Sequence, residues 1–459
     1  MSDILCLRLL VFQPNIYYLC GSSTITQCRF GVDVRLEHDN DNRTLGIRKV
    51  WGGEEPFGLS RADRRQHLYT LGKTGTGKST LLRNLIVQDI AAGEGVAVID
   101  PHGDLAEELL NFIPPWRTDH VVYFDPADEE YSVGLNLVGN VSENHRHLAA
   151  SGIVGAFKSI WHDSWGPRLE YFLYACVAAL LDCENVSLLG VQRMLVDERY
   201  RGWVVKQVKD SSVRSFWLDE FTTYDNRFLS EILSPVRNKV GQLLMAPPMR
   251  HVLGQVSSTF DPRFMMDRGR ILIANLSKGK LGEDKANLLG AILVTQFQLA
   301  AMSRANVPEE NRRDFYLYID EFHNFSTDSF ASILSEARKY RLCLTLAHQY
   351  VDQLQPQIRN AVLGNVGSII SFRVGESDAQ TLERTYGHSY TASAFTDLGN
   401  FEVIAKLLGE GGNREPFRAR TLPPSGTTYG KSANIINRSH QRYAMPRSVV
   451  DNKIRRWLE

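Results

Sequence analysis

Residues 72–79 read Gly72, Lys73, Thr74, Gly75, Thr76, Gly77, Lys78 and Ser79, with Thr80 following, which satisfies the pattern G-x-x-x-x-G-K-[ST]. This octapeptide constrains the fold around it, because it works only between a strand that carries the chain in and a helix that carries it out. Both flanks fit. His67–Leu71 (HLYTL) is an apolar run of strand length, and Ser79–Ile90 (STLLRNLIVQDI) has apolar residues at helical spacing. In such a loop the glycines let successive backbone N–H groups turn inward on phosphate oxygens at a helix N-terminus. Lys78 then reaches the β and γ phosphates, and Ser79 ligates Mg²⁺. A nucleoside triphosphate with Mg²⁺ is the expected ligand, held by residues 72–80.

The rest of the chain continues the alternation. Val96–Asp100 and Val121–Asp125 read as strands separated by a helix from about Asp104. From about Glu143 to Gln255 the strand signal stops and the pattern is helical, too long for an ordinary crossover, so an all-helical insertion is expected. Strands resume at Ile271–Leu276, Phe315–Ile319, Leu342–Ala347 and Ser368–Val374, with helices between them, and two further β-like segments lie near Val403–Leu408 and Pro416–Leu422. Near-continuous apolar strands of this kind belong to a mostly parallel sheet covered on both faces. The expected organisation is a β-rich N-terminal segment (1–60), an α/β domain in two parts (61–142 and 256–424), the helical insertion (143–255) and a C-terminal tail (425–459). The apolar Ile4–Phe12 is too short to span a bilayer and reads as a strand. Leu169–Leu181 reads as a buried helix, and the polar, partly basic stretch from Pro423 as a mobile or partner-docked arm.

Composition narrows function by exclusion. Lysine plus arginine and aspartate plus glutamate both number 52, so no global positive field marks a nucleic-acid binder, and any such binding must be local. The six cysteines (Cys6, Cys20, Cys28, Cys176, Cys183, Cys343) contain no C-x-x-C pair. That argues for free thiols in a reducing compartment and against a disulfide framework or metal site.

Phe315–Ile319 runs straight into Asp320 and Glu321. An apolar strand ending in two carboxylates is what a hydrolytic phosphate site needs opposite its loop: Asp320 to hold Mg²⁺ through its water shell, Glu321 to polarise the attacking water. Leu342–Ala347 likewise ends in His348 and Gln349. Gln349 is the better γ-phosphate sensor, because an amide both accepts from water and donates to phosphate. Asp100 ends a further strand at the same edge, either supporting the site or forming an Asp-Pro turn.

Several blocks together resemble the HerA/FtsK superfamily of hexameric DNA-pumping ATPases, and within it the type IV secretion and conjugation coupling ATPases. They are HLYTLGKTGTGKSTLL, VAVIDPHGDL, LSPVRNKVGQLL, ILIANLSKGKLGEDKANLLGAIL, YLYIDEFHNF, EARKYRLCLTLAHQY and NAVLGNVGSIISFRVGESDA. The resemblance implies a RecA-like α/β motor domain interrupted by an all-helical domain, ATP as the nucleotide and a homohexamer. It also implies Lys78 and Ser79 as Walker A, Asp320 and Glu321 as Walker B and Gln349 as glutamine sensor. An arginine in the segment matching Glu336–Lys339 reaches the neighbouring subunit's ATP in such motors, which makes Arg338 the trans finger, with Lys339, Arg341, Arg359 and Arg373 as weaker substitutes. Channel-wall loops grip DNA in the family. Lys278 and Lys280, in a glycine-hinged segment between a strand and a helix, are the candidates, with Arg237 and Lys239 second.

Membrane-anchored coupling members carry N-terminal transmembrane helices, and none is visible in this sequence. A cytoplasmic motor is therefore expected, or one recruited to a membrane complex. The leading expectation is an ATP-driven translocase acting on DNA, with a relaxase, nuclease or secretion channel as partner. The alternative is an ATPase that recruits protein or nucleoprotein cargo without itself pumping DNA.

Overall fold

A hairpin opens the described chain: β1 (Asn42–Val50) and β2 (Gly53–Ser60) pair antiparallel around Trp51 and Gly52. Gly52 takes a φ of 99°, which only glycine adopts freely. Seven short apolar strands follow: β3 (Leu68–Leu71), β4 (Gly95–Asp100), β5 (Val121–Phe124), β6 (Ile271–Asn275), β7 (Phe315–Ile319), β8 (Leu342–His348) and β9 (Ser368–Ser371). They pair parallel, and β10 (Glu402–Lys406) and β11 (Phe417–Thr421) join antiparallel. The result is an 11-stranded sheet in the order β2-β1-β11-β10-β9-β3-β8-β7-β4-β6-β5. Every residue of β3, β4 and β7 is buried, as expected of parallel strands covered on both faces. The computed structural model describes residues 41–139, 141–327, 330–409 and 412–459. The strand expected over Ile4–Phe12, and three of the six cysteines, lie outside them. Cys176, Cys183 and Cys343 are buried free thiols.

Two cores lie on the two faces. On one, α1 (Lys78–Ala91) and α2 (Asp104–Leu109) bury Leu82, Leu85, Ile86 and Leu105 against Val96, Val98 and Ile273. On the other, the chain after β5 enters a run of helices: α3 (Arg146–Ile160), α4 (Pro167–Leu180), α5 (Leu189–Val196), α6 (Glu198–Gln207), α7 (Asn226–Met245) and α8 (Pro247–Leu253). Their apolar faces merge with the core beneath α9 (Glu283–Met302). Gly152 of α3 allows close approach to α9, since a Cβ there would lie 2.5 Å from Thr295 Cγ2. One helix among the described residues, Glu283–Asn306, is long and apolar enough to cross a membrane. In this fold 67% of its apolar window is buried, so it serves as a core helix.

The N-terminal hairpin is wired to the α/β core by buried charge. Asp89 of α1 accepts from Arg43 Nε at 2.8 Å and from both terminal nitrogens of Arg64 at 2.7 Å. Tyr318 of β7 donates to the same carboxylate at 2.6 Å, and the Arg64 guanidinium lies over the Tyr316 ring. A buried carboxylate of this kind persists because it is matched donor by donor.

The stretch from Pro423 differs from the expected mobile arm. Residues 423–425 lie along α1: Asn84 Nδ2 donates to Pro423 O at 2.9 Å, and Asn84 Oδ1 accepts from Ser425 N at 3.0 Å. Then α10 (Ser432–Tyr443) docks beside β5, where Ser439 Oγ accepts from Tyr123 N at 2.8 Å, and α11 (Arg447–Leu458) packs on α8. The composition is polar, but Ile435 is buried in the core on one sheet face, and Val450 and Ile454 in the core on the other. Three apolar residues spread over two helices are too sparse to stand out in a basic sequence.

Candidate active site

The loop leaves β3 and closes on itself before any ligand is considered. Thr76 Oγ1 donates to Lys73 O at 2.7 Å, and Lys73 N donates to Arg373 O at 2.9 Å. Gly75 and Gly77 have φ of 76° and 118°. A Cβ on Gly72 would lie 2.5 Å from Phe372 Cβ, so the motif glycines are required by both conformation and space. Lys78 begins α1. Its ammonium is buried and donates to Gly72 O at 2.6 Å, and burial lowers its pKa while the Glu321 and Asp320 charges oppose that.

Because β3, β8, β7 and β4 are parallel neighbours, their carboxyl ends converge. Asp320 follows β7, is 7% exposed, and is pushed up to about 6 by burial first and then by Glu321 and Asp100. Its Oδ1 accepts from Glu321 N at 3.0 Å. Glu321 sits in the left-handed region (φ 45°, ψ 50°), a conformation few non-glycine residues hold without compensation. The turn aims its carboxylate at β8, where Gln349 Nε2 donates to Glu321 Oε1 at 3.0 Å. His323 Nδ1 lies 3.5 Å from Glu321 Oε2, and burial lowers the His323 pKa, favouring the neutral ring. Behind them His348 is fully buried, 3.3 Å from the Tyr69 hydroxyl, with its pKa pushed down to about 3. Sequence reasoning missed His323, whose only signal was its place two residues after Glu321.

One cavity of about 340 Å³ is lined by Ser79, Thr80, Asp100, His102, Asp104 and Asp320, among others. Asp100 does more than turn the chain: Oδ1 accepts from His102 N and Oδ2 from Ala106 N, both at 2.9 Å, fixing the start of α2. No cluster of three metal-ligating His, Cys, Asp or Glu side chains occurs among the described residues. Mg²⁺ at a phosphate site does not need one, since it takes one or two protein oxygens plus water and phosphate. The Ser79 hydroxyl beside Asp320, whose burial disfavours its charge, fits that cation, and an ammonium turned onto a backbone carbonyl fits a phosphate in its place.

The remaining expected residues lie elsewhere. Arg338 is exposed on a 3₁₀ turn just before β8. β8 is seven residues long, so Arg338 stands roughly 20 Å from its own loop, at the opposite sheet edge. Arg359 pairs with Asp352, and Arg373 donates to Asn400 Oδ1 at 3.2 Å. Lys278 and Lys280 form a single helical turn where an open loop was expected. Both are paired: Lys278 Nζ reaches Glu283 Oε1 at 2.7 Å and Asn324 Oδ1 at 2.8 Å, and Lys280 Nζ reaches Glu107 Oε1 at 3.3 Å. Arg237 is exposed on α7, and Lys239 lies over the Trp161 ring.

Residues 60–213 match the family model described as the central domain of helicase HerA. That stretch contains the phosphate loop and is similar to the HerA central domain. Solved structures share the fold along most of the chain. The bacterial conjugative coupling protein TrwBdeltaN70 is 16% identical with a TM-score of 0.59, covering 85% of this chain and 90% of that one. The plasmid coupling protein TrwB in complex with ADP and Mg²⁺ gives the same identity and TM-score over 82% and 90%. VirB4 of Thermoanaerobacter pseudethanolicus is 13% identical with a TM-score of 0.54 over 84% and 97%. At these identities the likeness is one of fold. No curated protein matches this chain in sequence.

Proposed function

We propose that this chain is an ATP-hydrolysing, ring-forming motor that drives DNA through a central channel. The observation that carries the hydrolytic part is the Gln349–Glu321 hydrogen bond at 3.0 Å, on the same sheet edge as Lys78. Ser79 and Asp320 would hold Mg²⁺, which when bound neutralises charge across the β and γ phosphate oxygens. Lys78 exchanges Gly72 O for those oxygens. Glu321 takes a proton from water as the water oxygen bonds to the γ phosphorus and the bond to the bridging oxygen breaks, releasing ADP and phosphate. Gln349 fixes the Glu321 carboxylate and reports the γ-phosphate's presence. Arg338, remote from its own loop, acts on the neighbouring subunit's nucleotide, as a guanidinium that forks onto developing phosphate charge. This role makes a homohexamer part of the proposal.

The test combines ATP hydrolysis, measured with and without single- and double-stranded DNA, with particle mass in a non-hydrolysable ATP analogue. Hydrolysis indifferent to both DNAs, together with a monomer in all conditions, would remove the motor reading. One observation favours a second reading: the two lysines expected to grip DNA are each neutralised by a glutamate of the same chain. An ATPase that recruits protein cargo needs no such grip. Capture of a protein partner, with no stimulation by DNA, is its expected signature.

A further inference from the structure

The nucleotide end that carries no phosphate also needs a place, and the strand order says on which side of the loop it lies. Asp320, Glu321 and Gln349 follow β7 and β8, on one flank of β3, whereas β9 and β10 lie on the other. A triphosphate laid along the loop with its γ-phosphate toward Glu321 therefore runs its nucleoside toward β9 and β10. Phe401, the residue before β10, stands there. Its ring lies against the loop: a Cβ on Gly77 would be 2.8 Å from Phe401 Cδ1 and 3.3 Å from Cε1.

The backbone of Phe401 is held in an unusual state for a bulky side chain. Its φ is 64°, in the left-handed region. Three bonds keep it there. Phe401 N donates to Thr76 O at 2.8 Å, inside the loop itself, and Phe401 O accepts from Thr421 N at 2.9 Å and Oγ1 at 3.3 Å. The neighbouring Phe372 is fully buried, as a packing residue is, but Phe401 is only half-buried. An aromatic ring pinned to a phosphate-binding loop by a strained backbone, and left partly open to solvent, is built to face something flat.

We infer that Phe401 is the platform on which the base of the bound nucleoside triphosphate stacks. This rests on the reading of residues 72–80 as a nucleotide site, and it assigns the nucleobase subsite. Stacking on a ring is tolerant of base identity and is broken by replacing the ring with an aliphatic side chain.

Titration calorimetry on the full chain with Mg²⁺ separates the possibilities, using a non-hydrolysable ATP analogue and inorganic tripolyphosphate as paired probes. The Phe401→Leu variant keeps an apolar contact with Gly77 but loses the ring. Its expected behaviour is a roughly tenfold or greater loss of affinity for the analogue, the range for stacking of one base, with tripolyphosphate binding unchanged. Phe401→Trp should restore the analogue's affinity and leave tripolyphosphate alone. If Phe401→Leu weakens both probes equally, Phe401 merely braces the loop and the platform is wrong while the phosphate site stands. If neither probe weakens, the platform is also wrong. A wild-type chain that binds neither probe would overturn the nucleotide site itself, and the platform with it.

Discussion

At the scale of single residues, the site is a set of charges held out of water in anticipation of opposite charge. Asp320 illustrates this. Burial, Glu321 and Asp100 raise it from an ordinary 3.8 to about 6. The folded chain thus binds this proton more tightly than the unfolded one. The stability it contributes is full below about pH 4 and is lost as pH rises through about 6, a change of at most about 3 kcal/mol. Urea unfolding without nucleotide or Mg²⁺ should show that part of the decline between pH 4 and 7, and Asp320→Asn should remove it. Glu321 sets a separate expectation. Glu321→Gln retains the Gln349 contact in shape but cannot take a proton, so turnover should fall about 10²- to 10⁴-fold while binding of the ATP analogue persists. Equal loss of binding and turnover would mean that Glu321 only maintains the loop.

At the scale of elements, one carboxylate ties together β1, α1 and β7. Asp89 is fully buried and Arg64 is 2% exposed, so Asp89→Ala strands a guanidinium in the interior without its carboxylate. The expected loss is about 3–5 kcal/mol by chemical denaturation, the range for breaking one side of a buried pair. A loss below about 1 kcal/mol would show that water reaches Arg64 readily. The network also bears on how the sequence can be read. The parallel strands and α1 announce themselves by unbroken apolar runs and helical spacing. That Arg43, Arg64, Asp89 and Tyr318 meet was invisible, because charged residues at helix spacing read as a solvated face until the sheet brings β1 against them.

At the scale of the whole molecule, two parts act beyond their own neighbourhood. The C-terminal helices bury Ile435, Val450 and Ile454 against the body. Truncation after Gly430 should destabilise the chain by roughly 5 kcal/mol, at the usual value of burying three aliphatic side chains, and thermal melting against the full chain measures it. An unchanged melting temperature would mean that the segment is held only loosely. Arg338 makes a prediction about assembly. Arg338→Ala should lose about 10³- to 10⁵-fold in turnover, and mixing it with Lys78→Ala subunits should restore part of the activity, since each supplies what the other lacks. No restoration in mixtures would sink the trans assignment.

The phosphate loop, the alternating strands, the helical run that interrupts them, and the carboxylates and amide at the strand ends are all legible in the residues alone. Each of these is encoded locally, by spacing along one segment. That Gln349 holds Glu321, that Asp100 fixes the start of α2, that Lys278 and Lys280 are already paired, and that the basic tail folds onto the body emerge only once the chain is folded. Folding also brings Phe401, more than 300 residues downstream, against Gly77. These depend on which strands lie side by side. Strand order is set by long-range pairing and the burial of both sheet faces, and no local spacing records it.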